Sequence, residues 1–318
     1  MTPDAPRAWL AEDEGEASQS QDFFRSPQFL AAEGVTHSLI VESADRRLAI
    51  PLLVRDTPDG GHVDAISPYG YPGGRLTPAD APALAGDDVD WGPTGLVSAF
   101  IRYAVGVPVA LDGAAERSLV QVSDPDLPRK SRMSDRQQIR RNERDGYEIG
   151  SVPGPEADDA AIDALTQVYR ETMLRASADE RYLYDRTWFG AVLAAECSRL
   201  FLVRAADGSI AAAALVVESD GFVHYYLSGT SDEHSRASPS KNLIVAVTEH
   251  AEAQGAPMNL GGGLRAGDSL EAFKQGFANR ELPFMTHELV CDPAAYESLS
   301  AGAGETAFFP RYRAPANA

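Results

Sequence analysis

Cysteine is nearly absent from this sequence: Cys197 and Cys291 are the only two in 318 residues. Two thiols make no disulfide framework, so a reducing compartment, the cytoplasm, is the simple expectation. The six histidines are scattered, no Cys/His group has ligand spacing, and no metal or resident cofactor is expected. No apolar run approaches the ~20 residues of a membrane-spanning helix. The opening MTPDAPRAWLAEDEGEASQSQ lacks the basic start and apolar stretch of a signal peptide, and reads as a loose lead-in. Positive charge is scarce as well. The 28 Lys and Arg against 47 Asp and Glu give a net charge of −19, which argues against broad, non-specific binding to nucleic acid. There is no Gly-x-Ser-x-Gly elbow, no Gly-x-Gly-x-x-Gly at a strand end, and no defensible Ser/His/Asp order.

What remains is the balance of a globular protein, 44% hydrophobic and 24% charged, at a length that suits two ordinary domains. A helix is expected over Asp22–Glu33, then strands at Thr36–Ser43, Arg47–Asp56 and His62–Ile66 joined by turn-forming segments. A Pro/Gly/Tyr loop, SPYGYPGGRL, follows, then a helix near Gly95–Tyr103 and a strand at Ser118–Val122. Between Leu127 and Gly146 the character changes. Arg129, Lys130, Arg132, Arg136, Arg140, Arg141 and Arg144 face only Asp135, Glu143 and Asp145, on a helix stopped by Gly146. Arg136, Arg140, Arg141 and Arg144 share one broad helical face. This local basic patch stands out in an acidic chain.

After it the order of elements repeats. YEIG reads as a strand, and Ala160–Arg175 and Arg186–Glu196 read as helices. Three strands follow from Arg199 to Gly229, with Asp-Gly turns. Asn242–Gln254 reads as a helix, PMNLGGG as a strand running into glycines, Ser269–Phe277 as a short helix and THELVCD as a last strand. The repeat is one of architecture, without residue-level self-similarity.

Several segments together resemble the Fem-type peptidyltransferase branch of the GNAT acyltransferases. They are the basic helix RQQIRRNERDGYEI, the aromatic stretch YRETMLRASADERYLYDRTWF, the strand-to-glycine run HYYLSG…MNLGGG, and a Phe-Lys-x-x-Phe motif at Phe273, Lys274 and Phe277. The SPYGYPGG loop resembles a Tyr/Gly loop of the family's first domain. The resemblance covers roughly Pro128–Phe277. It implies an α/β (α+β) fold of two GNAT-like domains, each with a mixed, mostly antiparallel sheet flanked by helices. The first would comprise residues 1–117 and 286–318, and the second, 118–285, would carry most of the active site.

The resemblance also implies an aminoacyltransferase that joins an amino acid, carried on aminoacyl-tRNA, to an amine of a small molecule or peptide, in cell-wall or natural-product synthesis. Lys274 would hold the developing oxyanion, and Tyr225 and Tyr226 would orient the amine or relay its proton. Tyr69, Tyr71, Arg181, Tyr184, Phe273, Arg265, Asp268 and Gly262 are the candidate substrate contacts, and Arg136, Arg140, Arg141 and Arg144 the tRNA contacts. An acyl-CoA N-acyltransferase is the alternative. Against it, the segment SDEHSRASPSKN lacks the glycines whose N–H groups cradle a CoA pyrophosphate. A non-catalytic binding protein of two GNAT domains is the third reading.

Overall fold

In the computed structural model, residues 6–12, 15–263 and 267–315 are described. The strands are β1 (Arg7–Glu12), β2 (His37–Glu42), β3 (Arg47–Asp56), β4 (Val63–Ile66), β5 (Arg75–Thr77), β6 (Leu96–Arg102), β7 (Ala115–Ser123), β8 (Glu148–Pro153), β9 (Ser198–Arg204), β10 (Ile210–Ser219), β11 (Phe222–Thr230), β12 (Met258–Gly261) and β13 (Arg280–Val290). The α-helices are α1 (Pro27–Glu33), α2 (Met133–Arg144), α3 (Asp159–Arg175), α4 (Arg186–Leu193), α5 (Ser240–Ala253), α6 (Ser269–Lys274) and α7 (Pro293–Ser300). The chain divides into two compact units. Unit 1 is Met1–Gln19, Glu33–Arg117 and Pro283–Ala318, and unit 2 is Ser20–Ala32 and Ser118–Leu282. The class is mixed α/β with mostly antiparallel pairing, as the sequence led us to expect.

In unit 1, β1 to β4 form an antiparallel meander, β4 pairs parallel with β6, and β6 pairs antiparallel with the end of β13 (Thr286↔Arg102). The core gathers Leu39, Val41, Leu48, Ile50, Leu52, Leu84, Ala99 and Ile101, all nearly or wholly buried. Burying such aliphatic side chains contributes about 1.5–3 kcal/mol each, the main favourable term in folding. A second feature is polar. Asp64, fully buried, accepts from Arg55 at 3.0 Å, from the Tyr312 hydroxyl at 3.1 Å and from Arg313, which ties the C-terminal segment to the sheet. A carboxylate removed from water is tolerable only with such partners.

In unit 2, β8 to β11 form the meander, β11 pairs parallel with β12, and β12 pairs antiparallel with β7. Asp158, Asp185 and Asp268 cap α3, α4 and α6, each accepting from an N–H of the helix's first turn. One face of the sheet packs on α5 through Leu243, Ile244 and Val247 against Val216, Tyr225 and Met258. Residues 20–32 belong to this unit. Arg25 is buried and bridges Asp22 at 2.9 Å and Asp220 at 2.6 Å.

Three local expectations need correction. Residues 96–102 are strand β6 and not a helix; LVSAFIR is buried along nearly its whole length, as befits an interior strand with a parallel neighbour. Residues 7–12 are not a loose lead-in but β1, paired in full with β2. The expected 22–33 helix is a 3-10 turn at Phe23–Arg25 followed by α1, which restarts at Pro27 because proline suits only a first turn; the Ser26 hydroxyl accepts from Phe29 N at 3.2 Å. Helix α7, introduced by an Asp-Pro pair, was not foreseen.

Candidate functional site

The parallel pair in unit 2 is short. Only Val223↔Met258 and His224↔Asn259 are in register, while β11 runs on to Thr230 against β10. A register shift at Leu215/Val216 bends the β10–β11 ribbon just where β12 leaves it. Beyond that point β12 becomes the glycine run, Gly261-Gly262-Gly263. Gly261 has φ of +76°, a left-handed geometry open to glycine at no steric cost. At Gly262 the reason for glycine is close approach, since a Cβ there would lie 2.8 Å from the Leu119 carbonyl oxygen.

Two groups hold this glycine end. From one side the Asn259 Oδ1 accepts from Gly261 N at 2.7 Å, and Asn259 Nδ2 donates to His224 Nδ1 at 3.1 Å. His224 Nε2 donates in turn to the Ser219 carbonyl at 3.2 Å. Burial lowers the imidazole pKa to about 4, so His224 stays neutral and its tautomer is set by the carbonyl, which can only accept. From the other side Lys274 Nζ donates to the Gly262 carbonyl at 2.7 Å. Lys274 ends α6, and burial lowers its pKa from 10.5 to about 8, with the Asp268 carboxylate pulling the other way. The ammonium is therefore charged below about pH 8 and poised to lose its proton above it. Such a group can bind an anion or a developing oxyanion, or exchange a proton near neutrality.

The structure gathers some of the expected residues here and leaves others elsewhere. Phe273 stacks edge-on against Phe277 at 5.6 Å and packs on the core that contains Tyr225. Tyr225 is buried, and its phenol is pushed up to about 12, with Ser228 acting weakly in the opposite sense. Tyr226, its neighbour, points to the other face, among Phe23, Phe24 and Phe29 at ring separations of 5.8, 5.0 and 6.4 Å. Asp268 caps α6, accepting from Glu271 N at 2.7 Å. Arg265 lies outside the described residues. Tyr184 stacks on Trp188 at 3.9 Å, and Arg181 has its fork taken by Asp179 at 3.0 and 3.1 Å. In unit 1, Tyr69 donates its backbone N–H to Glu33 at 3.0 Å, and Tyr71 packs on Phe284 at 5.2 Å.

The four arginines of α2 are all exposed, while Asp135, Ile139 and Asn142 form its buried side. Asp135 pairs with Lys241 at 3.0 Å, and Asn142 donates to Asn242 at 2.7 Å, so polar contacts fix α2 on α5. Arg132, just ahead of α2, donates to the Ala272 carbonyl of α6 at 2.8 Å. The residue that leads into the basic helix thus touches the helix that carries Lys274.

The loop between β11 and α5 uses most of its own donors. The N–H of Asp232 donates to Glu171 at 2.7 Å, and those of His234, Ser235, Ala237 and Ser238 donate to neighbours within the loop. Lys241, Asn242 and Leu243 donate to Ser238 and Pro239. His234 anchors the loop to its surroundings through the Tyr147 hydroxyl at 2.8 Å and Ser209 at 3.0 Å. Residues that sequence reasoning passed over therefore include His224 and Asn259, whose bond to each other spans 35 positions; Arg132 was read only as one of the bases of its segment, and its contact with α6 spans 140.

Residues 129–275 match the family described as the acetyltransferase (GNAT) domain. Among solved structures, that of FemX superposes with a TM-score of 0.60 at 11% identity, covering 89% of this chain and 96% of that one. A conserved protein of unknown function from Bacteroides thetaiotaomicron gives 0.54 at 12% identity, covering 87% and 93%. L-PGS from Bacillus licheniformis gives 0.53 at 13%, covering 83% and 86%. No curated protein matches the sequence. At these identities the likeness is one of fold: residues 129–275 match the acetyltransferase (GNAT) domain, and the whole chain resembles FemX in fold. No described helix is long and apolar enough to cross a membrane.

Proposed function

We propose that this protein is an aminoacyltransferase that moves an amino acid from aminoacyl-tRNA to an amine of a small-molecule or peptide acceptor. The observation that carries this reading is the Lys274 ammonium, half-buried at the glycine end of β12 where the sheet opens. An ester on tRNA is already activated, so the protein must position the two substrates, stabilise the oxyanion and let the attacking nitrogen lose a proton. Lys274 supplies the positive charge. Breaking its bond to the Gly262 carbonyl frees the ammonium for the substrate, and the glycine backbone gives the substrate close access. The exposed arginines Arg136, Arg140, Arg141 and Arg144 supply a local phosphate-binding face in an otherwise acidic chain. A cytoplasmic location suits both the two thiols and a tRNA donor.

The β11–α5 loop favours a tRNA ester over CoA as donor. Most of its N–H groups donate within the protein, and a carboxylate, that of Glu171, already occupies one of them. The second reading, an acyl-CoA N-acyltransferase, is favoured by the acetyltransferase domain match over residues 129–275. Incubation with a mixed, labelled aminoacyl-tRNA pool and a panel of amines separates the two, with labelled acetyl-CoA in parallel. Amide product from the tRNA pool alone supports the proposal, and product from acetyl-CoA alone replaces it with the second reading. Absence of product from both, with a folded protein, points to the non-catalytic alternative.

A further inference from the structure

Three glycines in a row, Gly261 to Gly263, give β12 an end with little stiffness of its own. The strand ladder supplies little more. The pairing of β12 with β7 slips between Asn259 and Gly261, and its pairing with β11 ends at His224↔Asn259. Yet the Gly262 carbonyl must stand in one place to receive the Lys274 ammonium at 2.7 Å. On one side Gly262 abuts the Leu119 carbonyl. On the other, the run is held by a side chain, through the bond from Gly261 N to Asn259 Oδ1 at 2.7 Å.

That bond has a direction, and the direction is set elsewhere. A side-chain amide presents either oxygen or nitrogen, and only the oxygen accepts from Gly261. The Ser219 carbonyl, at the end of β10, can only accept, so His224 Nε2 carries the ring proton and Nδ1 is bare. The bare Nδ1 takes a proton from Asn259 Nδ2 at 3.1 Å, which turns Oδ1 toward Gly261. Ser219, His224 and Asn259 are 2%, 2% and 1% exposed, and Phe24 stands edge-on to the imidazole at 5.0 Å. Buried in this way each group depends on the next, because turning one over leaves its neighbours unpaired.

We propose that His224 and Asn259 are positioning residues: they hold Gly261, and through it the Gly262 carbonyl, where it meets the Lys274 ammonium. The inference rests on the acyl-transfer reading, in which Lys274 carries the charge, and adds how that charge is aimed. Aim matters because a displacement of about 1 Å is enough to lower a rate greatly. Neither residue touches the substrate, and both act through the lysine.

The test has two arms on the full-length protein, with melting curves to confirm that each variant is folded at the assay temperature. The first needs no substrate. Acetic anhydride labels an amine in proportion to its unprotonated fraction, and exposed Lys130 serves as the internal reference for Lys274. A hydrogen bond to the charged form favours that form, so loss of the fixed carbonyl should lower the Lys274 midpoint. His224→Phe and Asn259→Ala should each lower it by about one unit, the worth of a hydrogen bond to a charged group. His224→Gln, which offers an oxygen to Asn259 and an N–H to Ser219, should keep the parent value. The Asp268 carboxylate, which also acts on Lys274, is unchanged in every variant. The second arm is transfer from the aminoacyl-tRNA pool to the amine panel. His224→Phe and Asn259→Ala should lower turnover roughly tenfold, with the KM for donor within about twofold of the parent. In a Lys274→Ala background they should cost nothing further, because the group they aim is gone. A midpoint that does not fall in either disruptive variant, a fall that His224→Gln shares in full, or the same tenfold loss in both backgrounds would each overturn the proposal. Lys274→Ala as fast as the parent would sink the lysine's part in acyl transfer, and the labelling arm alone would then decide the positioning.

Discussion

The two units share a strand order and differ in how they cross from one strand to the next. Each has a four-stranded antiparallel meander, one parallel neighbour and one final antiparallel strand: β1-β2-β3-β4, β6 and β13 in unit 1, and β8-β9-β10-β11, β12 and β7 in unit 2. Unit 2 makes its parallel crossover through the 14-residue helix α5, the usual solution. Unit 1 makes the same crossover, from β4 to β6, with loop, the short strand β5 and two 3-10 turns. The parallel pair of unit 1 extends from Val63↔Leu96 to Ile66↔Phe100, whereas that of unit 2 stops after two residues and leads into glycines. Their polar interiors differ in the same sense. Unit 1 buries a carboxylate with full partners, and unit 2 half-buries an ammonium with a backbone carbonyl as its one hydrogen-bond partner among the described residues. Under the proposed function, one architecture thus serves as scaffold in one copy and opens a site in the other, and charge without a matched counter-charge is the difference on which that reading rests.

That contrast breaks most sharply at Lys274. Lys274→Ala should lower turnover by roughly 10²–10³-fold, the size expected when one oxyanion donor is lost. Lys274→Arg should rescue only in part, since a planar fork does not replace a compact charge. The melting temperature should hold, because burial disfavours the ammonium in the native state and removing it relieves that cost. The matching change in unit 1, Asp64→Ala, should do the opposite. It leaves Arg55 and Arg313 without their counter-charge and should cost about 3 kcal/mol of stability, read by denaturant unfolding, while the folded fraction keeps its transfer rate.

Gly229→Ala tests the packing beneath the site. A Cβ there would stand 2.2 Å from the Val168 carbonyl of α3, so the helix must shift. A loss of about 1–3 kcal/mol is expected from such overpacking, measured as a fall in melting temperature. The smallest effect on stability belongs to Arg140→Ala with Arg144→Ala. Both side chains are exposed, so stability should move by less than about 0.5 kcal/mol. Affinity for tRNA should fall, and the slope of log affinity against log salt should flatten by about 1.5–2, one increment for each phosphate that is no longer neutralised. An unchanged slope would detach the basic helix from the donor.

The order of elements was legible in the sequence because periodicity and turn residues are local signals. Asp-Gly turns at 207–208 and 220–221 punctuate the unit 2 meander, and the expected short helix at Ser269 is present as α6. The interior strand β6 was misread because a short apolar run carries no period to distinguish strand from helix. Strand β1 hid in an acidic, low-complexity opening, and only its partner β2 defines it. At the proposed site, the glycines and the lysine are the residues that a motif can single out. Their supports escape it: His224 against Asn259 and Gln121 against Glu281 depend on register between distant strands. The equal weight given to Tyr225 and Tyr226 shows the same limit, since alternation says that they part but not which face holds Lys274.

If the charged form of Lys274 carries the chemistry in unit 2, the rate of transfer follows its titration. Single-turnover transfer from aminoacyl-tRNA, corrected for spontaneous ester hydrolysis, should be measured on both sides of pH 8 for the parent and for Lys274→Ala. Burial lowers the Lys274 pKa to about 8, so the ammonium is present below that value and lost above it. The parent should therefore show a limb of falling rate as pH rises through about 8, and Lys274→Ala should be slow with that limb gone. A variant as fast as the parent, or one that keeps the same falling limb, would contradict the account.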